Sequence, residues 1–117
     1  MKKDPQVFIG HILESIQLIE EYACDLTLQE FQRNRAIQDA IIRRLEIIGE
    51  AVKNLGGPFK AKHPEIPWKP MAGMRDILIH EYFDVDLSLT WSVVKRELPS
   101  IKKHLKEVLE SLENEDG

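Results

Sequence analysis

The chain has 117 residues, enough for one hydrophobic core and too few for two, so it reads as a single domain spanning 1–117. Apolar residues make up 43% and charged residues 31%, ordinary for a soluble globular protein, and no segment approaches the length of a membrane span. The formal net charge of −4 argues against a general nucleic-acid binder with a basic face, and leaves room for an enzyme with a local basic cleft.

Asp4-Pro5 is a helix start, with Asp as cap and Pro at the first helical position. No apolar stretch follows Met1-Lys2-Lys3, so no signal peptide is expected. Val7, Phe8, Ile12, Leu13, Ile16, Ile19, Tyr22 and Ala23 recur at three- and four-residue spacing and predict an amphipathic helix to about Cys24. Cys24 is the single cysteine. It allows neither an intramolecular disulfide nor a zinc site built on several cysteines, fits a reducing cytoplasm, and is expected as a small buried helical residue.

After a turn capped by Asp25 or Thr27, one long helix is predicted from Leu28 to Leu55. Its stripe is Ile37, Ala40, Ile41, Ile48, Ala51, Val52 and Leu55, with Arg44 in the middle; Arg43, Glu46, Glu50 and Lys53 fall elsewhere on the cylinder. Gly56-Gly57-Pro58 ends it. Phe59 to Pro70 then reads as a proline-rich loop anchored by Trp68, long enough to cover a cleft. A short third helix is predicted from Met71 to His80. Asp86 caps a fourth, with Leu87, Leu89, Trp91, Val94 and Leu98 inward, which Pro99 must kink or restart. Ile101, Leu105, Val108, Leu109 and Leu112 continue the pattern into a polar tail from Glu113. No run alternates with period two. The fold class is all-α: an antiparallel, up-and-down bundle of four to five helices.

The stretch Met74-Arg75-Asp76-Ile77-Leu78-Ile79-His80-Glu81-Tyr82 concentrates chemistry in nine residues. As a helix it puts Met71, Met74, Ile77 and Leu78 on one apolar arc, with Asp76 and His80 one turn apart on one face. Arg75 at the edge of that arc must snorkel, find a partner or line a cleft. Histidine suits proton transfer near neutral pH, and arginine suits a phosphate. Five residues apart on one helix, the two side chains diverge by about 140° and roughly 7–8 Å along the axis, so both reach one phosphate only across a groove or with a second subunit. On spacing alone, a surface histidine and a snorkelling arginine account for the pair. Asp76 either orients one of them or forms a helical Asp–His pair. Tyr82 either packs on the helix end or presents its hydroxyl. Arg44 needs an acid, a carbonyl or a phosphate, with Asp76, Asp84 or Asp86 in reach, and is expected to face the third helix. Glu46 reads as a surface residue first, with lining the site as its second reading. His11, His63 and His104 lack metal-ligand spacing, and there is no phosphate-binding Gly-rich loop, so neither metal nor cofactor is assigned.

Arg75, four residues, His80, one residue, Tyr82 resembles the signature of the HepT-like proteins of the HEPN superfamily. Arg43-Arg44-Leu45-Glu46-Ile47-Ile48-Gly49-Glu50-Ala51 is similar to that family's second helix, and Pro64-Glu65-Ile66-Pro67-Trp68 and Tyr82-Phe83-Asp84-Val85-Asp86 to its flanking segments. The resemblance covers nearly the whole chain. It implies a helical bundle and a metal-independent endoribonuclease toxin acting on RNA, with His80 as acid/base, Arg75 as phosphate clamp, and Asp76 and Arg44 in support. It further implies that a cognate minimal nucleotidyltransferase antitoxin silences the toxin by adding AMP to Tyr82. A homodimer is implied too, and Phe8, Ile9, Ile42 and Phe83 exceed what one narrow helix face needs. The alternative is a non-catalytic helical subunit that docks the nucleotidyltransferase and binds a nucleotide or phosphate through Arg75 and His80.

Overall fold

The computed structural model describes residues 4–74, 79–80 and 84–116, with backbone alone at 79–80, 84–85 and 115–116. Helix α1 (Pro5–Ala23) begins as its sequence requires, the Asp4 carboxylate accepting the Gln6 N–H at 2.9 Å. Its buried stripe is Ile9, Ile12, Ile16, Ile19 and Ala23. The stripe starts at Ile9 rather than Val7, which lies about 200° round the axis from it and is 51% exposed. Ile9 is fully buried, so it is not among the surplus apolar residues that a second subunit could cover. The helix stops one residue before Cys24, which is exposed rather than buried. Asp25 follows with φ 64°, a left-handed conformation that aspartate tolerates better than most side chains.

The single helix expected over 28–55 is two helices, α2 (Leu28–Arg33) and α3 (Arg35–Lys53). Thr27 and Glu30 form a reciprocal capping box at the start of α2, with bonds of 3.1 and 3.0 Å. At the break, the Asn34 side chain accepts the Ile37 N–H at 3.1 Å, and the Gln38 amide donates to the carbonyls of Phe31 and Gln32. Each helix end thereby keeps its backbone groups satisfied. Phe31, fully buried, stacks on Trp91 at 4.9 Å and holds α2 to the far side of the bundle.

The proline-rich stretch expected as a loop contains two short helices, α4 (Gly57–Ala61) and α5 (Trp68–Ala72). Pro58 and Pro70 fall in their first turns, where no backbone N–H is needed. A third helix through to His80 is not what forms. α5 ends at Ala72 with Gly73 as its cap, and Ile79–His80 (β1) pairs antiparallel with Asp84–Val85 (β2), Ile79 opposite Val85 and His80 opposite Asp84. The β-branched pair suits an extended backbone. Among the described residues this two-residue ladder is the only departure from an all-α fold.

Asp86 caps α6 (Leu87–Ser92), accepting the Leu89 N–H at 2.9 Å, and its carbonyl accepts the Thr90 hydroxyl. Pro99 has no N–H for the Lys95 carbonyl. A π-helical turn over Val93–Glu97, closed by the Leu98 N–H to the Val93 carbonyl, takes up the misfit before α7 (Leu98–Asp116).

The core joins three matching stripes: that of α1, Ile41-Leu45-Ile48-Val52 of α3, and Leu98-Ile101-Leu105-Val108 of α7. Their steps alternate between three and four residues, the spacing of helices packed nearly along one another. Burial of each such aliphatic side chain contributes about 1.5–3 kcal/mol, against about 1 kcal/mol for a typical cap. Lys102 pairs with Glu20 at 2.7 Å and the Lys95 ammonium reaches the Ala23 carbonyl at 3.3 Å, so α7 starts beside the end of α1 and runs back along it. The result is the up-and-down bundle.

Candidate functional site

A glycine inside a helix costs about 1 kcal/mol relative to alanine, so Gly49, well within α3, needs a reason. The reason is the close approach of α5. A Cβ at Gly49 would lie 3.2 Å from the Ala72 carbonyl oxygen and 3.3 Å from that of Met71. At its other end α5 is held by Trp68, buried as expected, whose indole N–H is shared between the carbonyls of Lys60 at 3.1 Å and His63 at 3.0 Å. Met71 is fully buried and Met74 nearly so. The chain is therefore fixed against α3 up to Met74, one residue before Arg75.

Beside this contact lies a groove of about 460 Å³. Phe8 and His11 of α1 form one wall, the second half of α3 forms the other, and Ala72 closes one side. The α3 wall presents Arg43, Glu46, Ile47, Glu50, Lys53 and Asn54. Two cations and two carboxylates face the same space, so the groove is not a uniform phosphate trap. Glu46 lines it, the second of its two readings, and Arg43 lines it where Arg44 does not.

Arg44 is half-buried and, among the described residues, has no hydrogen-bond or ion-pair partner. Asp86 serves as a helix cap. Arg75, Asp76, Tyr82 and Phe83 lie outside the described residues. For His80 the backbone is described, in β1 opposite Asp84. The structure therefore brings together Gly49, Ala72 and the groove next to Met74, where the Arg75–Tyr82 stretch begins in sequence, and it shows Phe8, His11 and Lys53 there, none of which the sequence had given a part in the site. Gly49 was the available signal, as an isolated glycine in a strongly helical run. Among the described residues no group of three or more His, Cys, Asp or Glu could hold a metal, and no helix is long and apolar enough to cross a membrane.

Residues 12–108 match the family model described as ribonuclease HepT-like. The chain is 53% identical over 113 residues to a Methanocaldococcus jannaschii protein named as a gamma-glutamylcyclotransferase and, provisionally, an RNase; the match covers 97% of this chain and 51% of that one. It is 43% identical over 115 residues to a second protein of that organism, provisionally named an RNase, with 98% and 95% of the two chains covered. A Thermococcus cleftensis protein provisionally named ribonuclease HepT is 48% identical over 102 residues, with 87% and 93% covered. The chain thus spans about half the length of the first relative and nearly all of the other two. No solved structure matches it significantly. The match runs from Ile12 of α1 into the second half of α7 and takes in Arg44, Arg75, Asp76, His80 and Tyr82, with Phe8 and His11 just before it. The chain belongs to the HepT-like ribonuclease family.

Proposed function

We propose that the chain is a metal-independent endoribonuclease, the toxin of a type VII-like toxin–antitoxin module, silenced when a cognate minimal nucleotidyltransferase attaches AMP to Tyr82. The observation that carries this reading is the family match across 12–108, which spans Arg75, His80 and Tyr82. In the reaction the RNA 2′-oxygen forms a bond to the adjacent phosphorus and the bond from phosphorus to the 5′-oxygen breaks. His80 moves the proton at one of those two oxygens, and water serves the other. The Arg75 guanidinium holds the non-bridging oxygens as their charge grows. Asp76 orients His80 or Arg75, and Arg44 supplies a half-buried positive charge behind them. No metal or cofactor enters these roles.

The site works as part of a homodimer, which supplies the second side of the cleft that an arginine and a histidine five residues apart require. Exposed Val7 and half-buried Phe8 and Ile42 are apolar surface such a dimer would cover. Silencing is a transfer in which the Tyr82 hydroxyl oxygen bonds to the α-phosphorus of ATP, pyrophosphate leaves, and the phenolic proton passes to solvent. The added phosphate sits beside Arg75 and His80 in sequence, where it neutralises the cation that RNA needs.

The test is intact mass and peptide mapping on the chain produced with and without the nucleotidyltransferase. Mass steps of one AMP on the Arg75–Asp86 peptide, dependent on the partner, absent from Tyr82→Phe, and matched by loss of RNA cleavage, are the expected result. A stable complex with no change in mass would leave neutralisation by occlusion, and with no cleavage by the free chain either would favour the non-catalytic subunit.

A further inference from the structure

Between Lys53 and Lys69 the chain carries four lysines and a single acid, Glu65, although acids outnumber cations 20 to 16 overall. These lysines belong to one pinned unit. The Trp68 indole joins the carbonyls of Lys60 and His63, and the Lys60 ammonium reaches back to the Val52 carbonyl at 3.4 Å, next to Lys53. The Glu65 carboxylate is turned onto His63 at 3.6 Å. Lys53, Lys62 and Lys69 are exposed, and among the described residues none has an anionic partner. Lys53 lines the groove, and Lys69 shares one side of α5 with Ala72, which closes it.

The cationic stretch 95–106 is engaged only in part, since Arg96, Lys103 and Lys106 are exposed without an ion-pair partner among the described residues. Lys95 sits over Trp91 and at the Ala23 carbonyl, and Lys102 pairs with Glu20. The stretch from Lys53 to Lys69 differs in holding only Glu65 as an acid, and its first lysine, Lys53, lines the groove. Lys69 precedes Arg75 by six residues, which can span at most about 20 Å, a few nucleotides of single strand.

We infer that Lys53, Lys62 and Lys69 form a docking ridge for the phosphate backbone of single-stranded RNA, which guides the strand to Arg75 and His80. This rests on the ribonuclease reading for the site the ridge serves. Counterions leave as lysines take phosphates, so the ridge acts on affinity and salt dependence and not on the chemical step. That also accounts for how a chain of net charge −4 can hold a polyanion: the attraction is local, and repulsion from the acids elsewhere is screened beyond about 10 Å at 0.1 M salt.

The experiment compares the wild-type chain, Lys62→Gln with Lys69→Gln, and a control pair on α7, Lys103→Gln with Lys106→Gln, all free of AMP. Cleavage is measured as kcat and KM on a single-stranded RNA. Affinity for the same RNA is measured from 50 to 200 mM salt with each pair in a His80→Ala background. The ridge predicts a KM raised roughly tenfold with kcat unchanged, and a plot of log affinity against log salt shallower by about 1.4, with the α7 pair like wild type. Equal KM and slope in both pairs, with cleavage intact, would overturn the ridge and leave the ribonuclease reading standing. Salt-dependent binding that the ridge pair loses, without cleavage by any variant, would keep the ridge and remove the ribonuclease reading. Absence of RNA binding, or loss of nucleotidyltransferase binding alone in the ridge pair, overturns the ridge.

Discussion

Replacing His80 with alanine lowers RNA cleavage by about 10²–10⁴-fold, the usual contribution of a positioned acid or base. Arg75→Ala lowers it by about 10²–10³-fold, the scale for losing one group that stabilises developing phosphoryl charge. The two differ in character. Without His80 the loss falls on kcat, because RNA still meets its phosphate contacts. Without Arg75 it falls on KM as well, since a guanidinium holds the ground-state phosphate too. The double variant should be little worse than the poorer single one if both act on one transition state. Rates are measured on chains shown by mass to carry no AMP, with dimer and nucleotidyltransferase binding checked alongside. Unchanged cleavage in His80→Ala would remove histidine from the chemistry.

Gly49→Val lowers stability by about 1–3 kcal/mol, because the contact it meets is backbone and cannot rotate away. The first added carbon already stands 3.2 Å from the Ala72 carbonyl oxygen, and the two methyls beyond it must displace α5. The displaced element carries Met71 and Met74 into the core and leads directly to Arg75. Cleavage by the folded fraction should therefore fall together with the urea midpoint. Gly49→Ala is the informative partner. It gains up to about 1 kcal/mol of helix propensity and loses contact geometry by a few tenths of an ångström, so it should come out near neutral. A gain of the full propensity would mean that α5 yields freely and does not fix the start of the Arg75–Tyr82 stretch.

What the sequence made legible was the repeated, apolar and capped part. The stripes of α1 and α7, the Asp4 and Asp86 caps and the Trp68 anchor follow from spacing and side-chain chemistry that act locally. The misreadings fall where apolar periodicity alone does not decide the backbone. Leu28, Phe31 and Ile37 keep a three-residue register across polar Asn34, and Phe31 stacking on Trp91, together with Gln38 bridging back, accompanies the division of one helix into two. Four prolines suggested a loop, yet two of them sit in first turns where they favour short helices. A stretch with helical apolar spacing through His80 ends in an extended pair because Asp84–Val85 lies opposite it. At the site, Arg75, His80 and Tyr82 were legible as residue types at a spacing. The groove was not, because it exists only where α1, α3 and α5 meet, and Gly49 alone marked that meeting place.

The measurement closest to the central claim is incubation of AMP-free chain with single-stranded RNA in excess chelator, followed by identification of the new ends. The account predicts cleavage at the same rate with and without chelator, leaving 2′,3′-cyclic phosphate on one fragment and a 5′-hydroxyl on the other, as attack by the 2′-oxygen requires. Cleavage abolished by chelator, 5′-phosphate ends, or no cleavage by a folded, unmodified chain would contradict it.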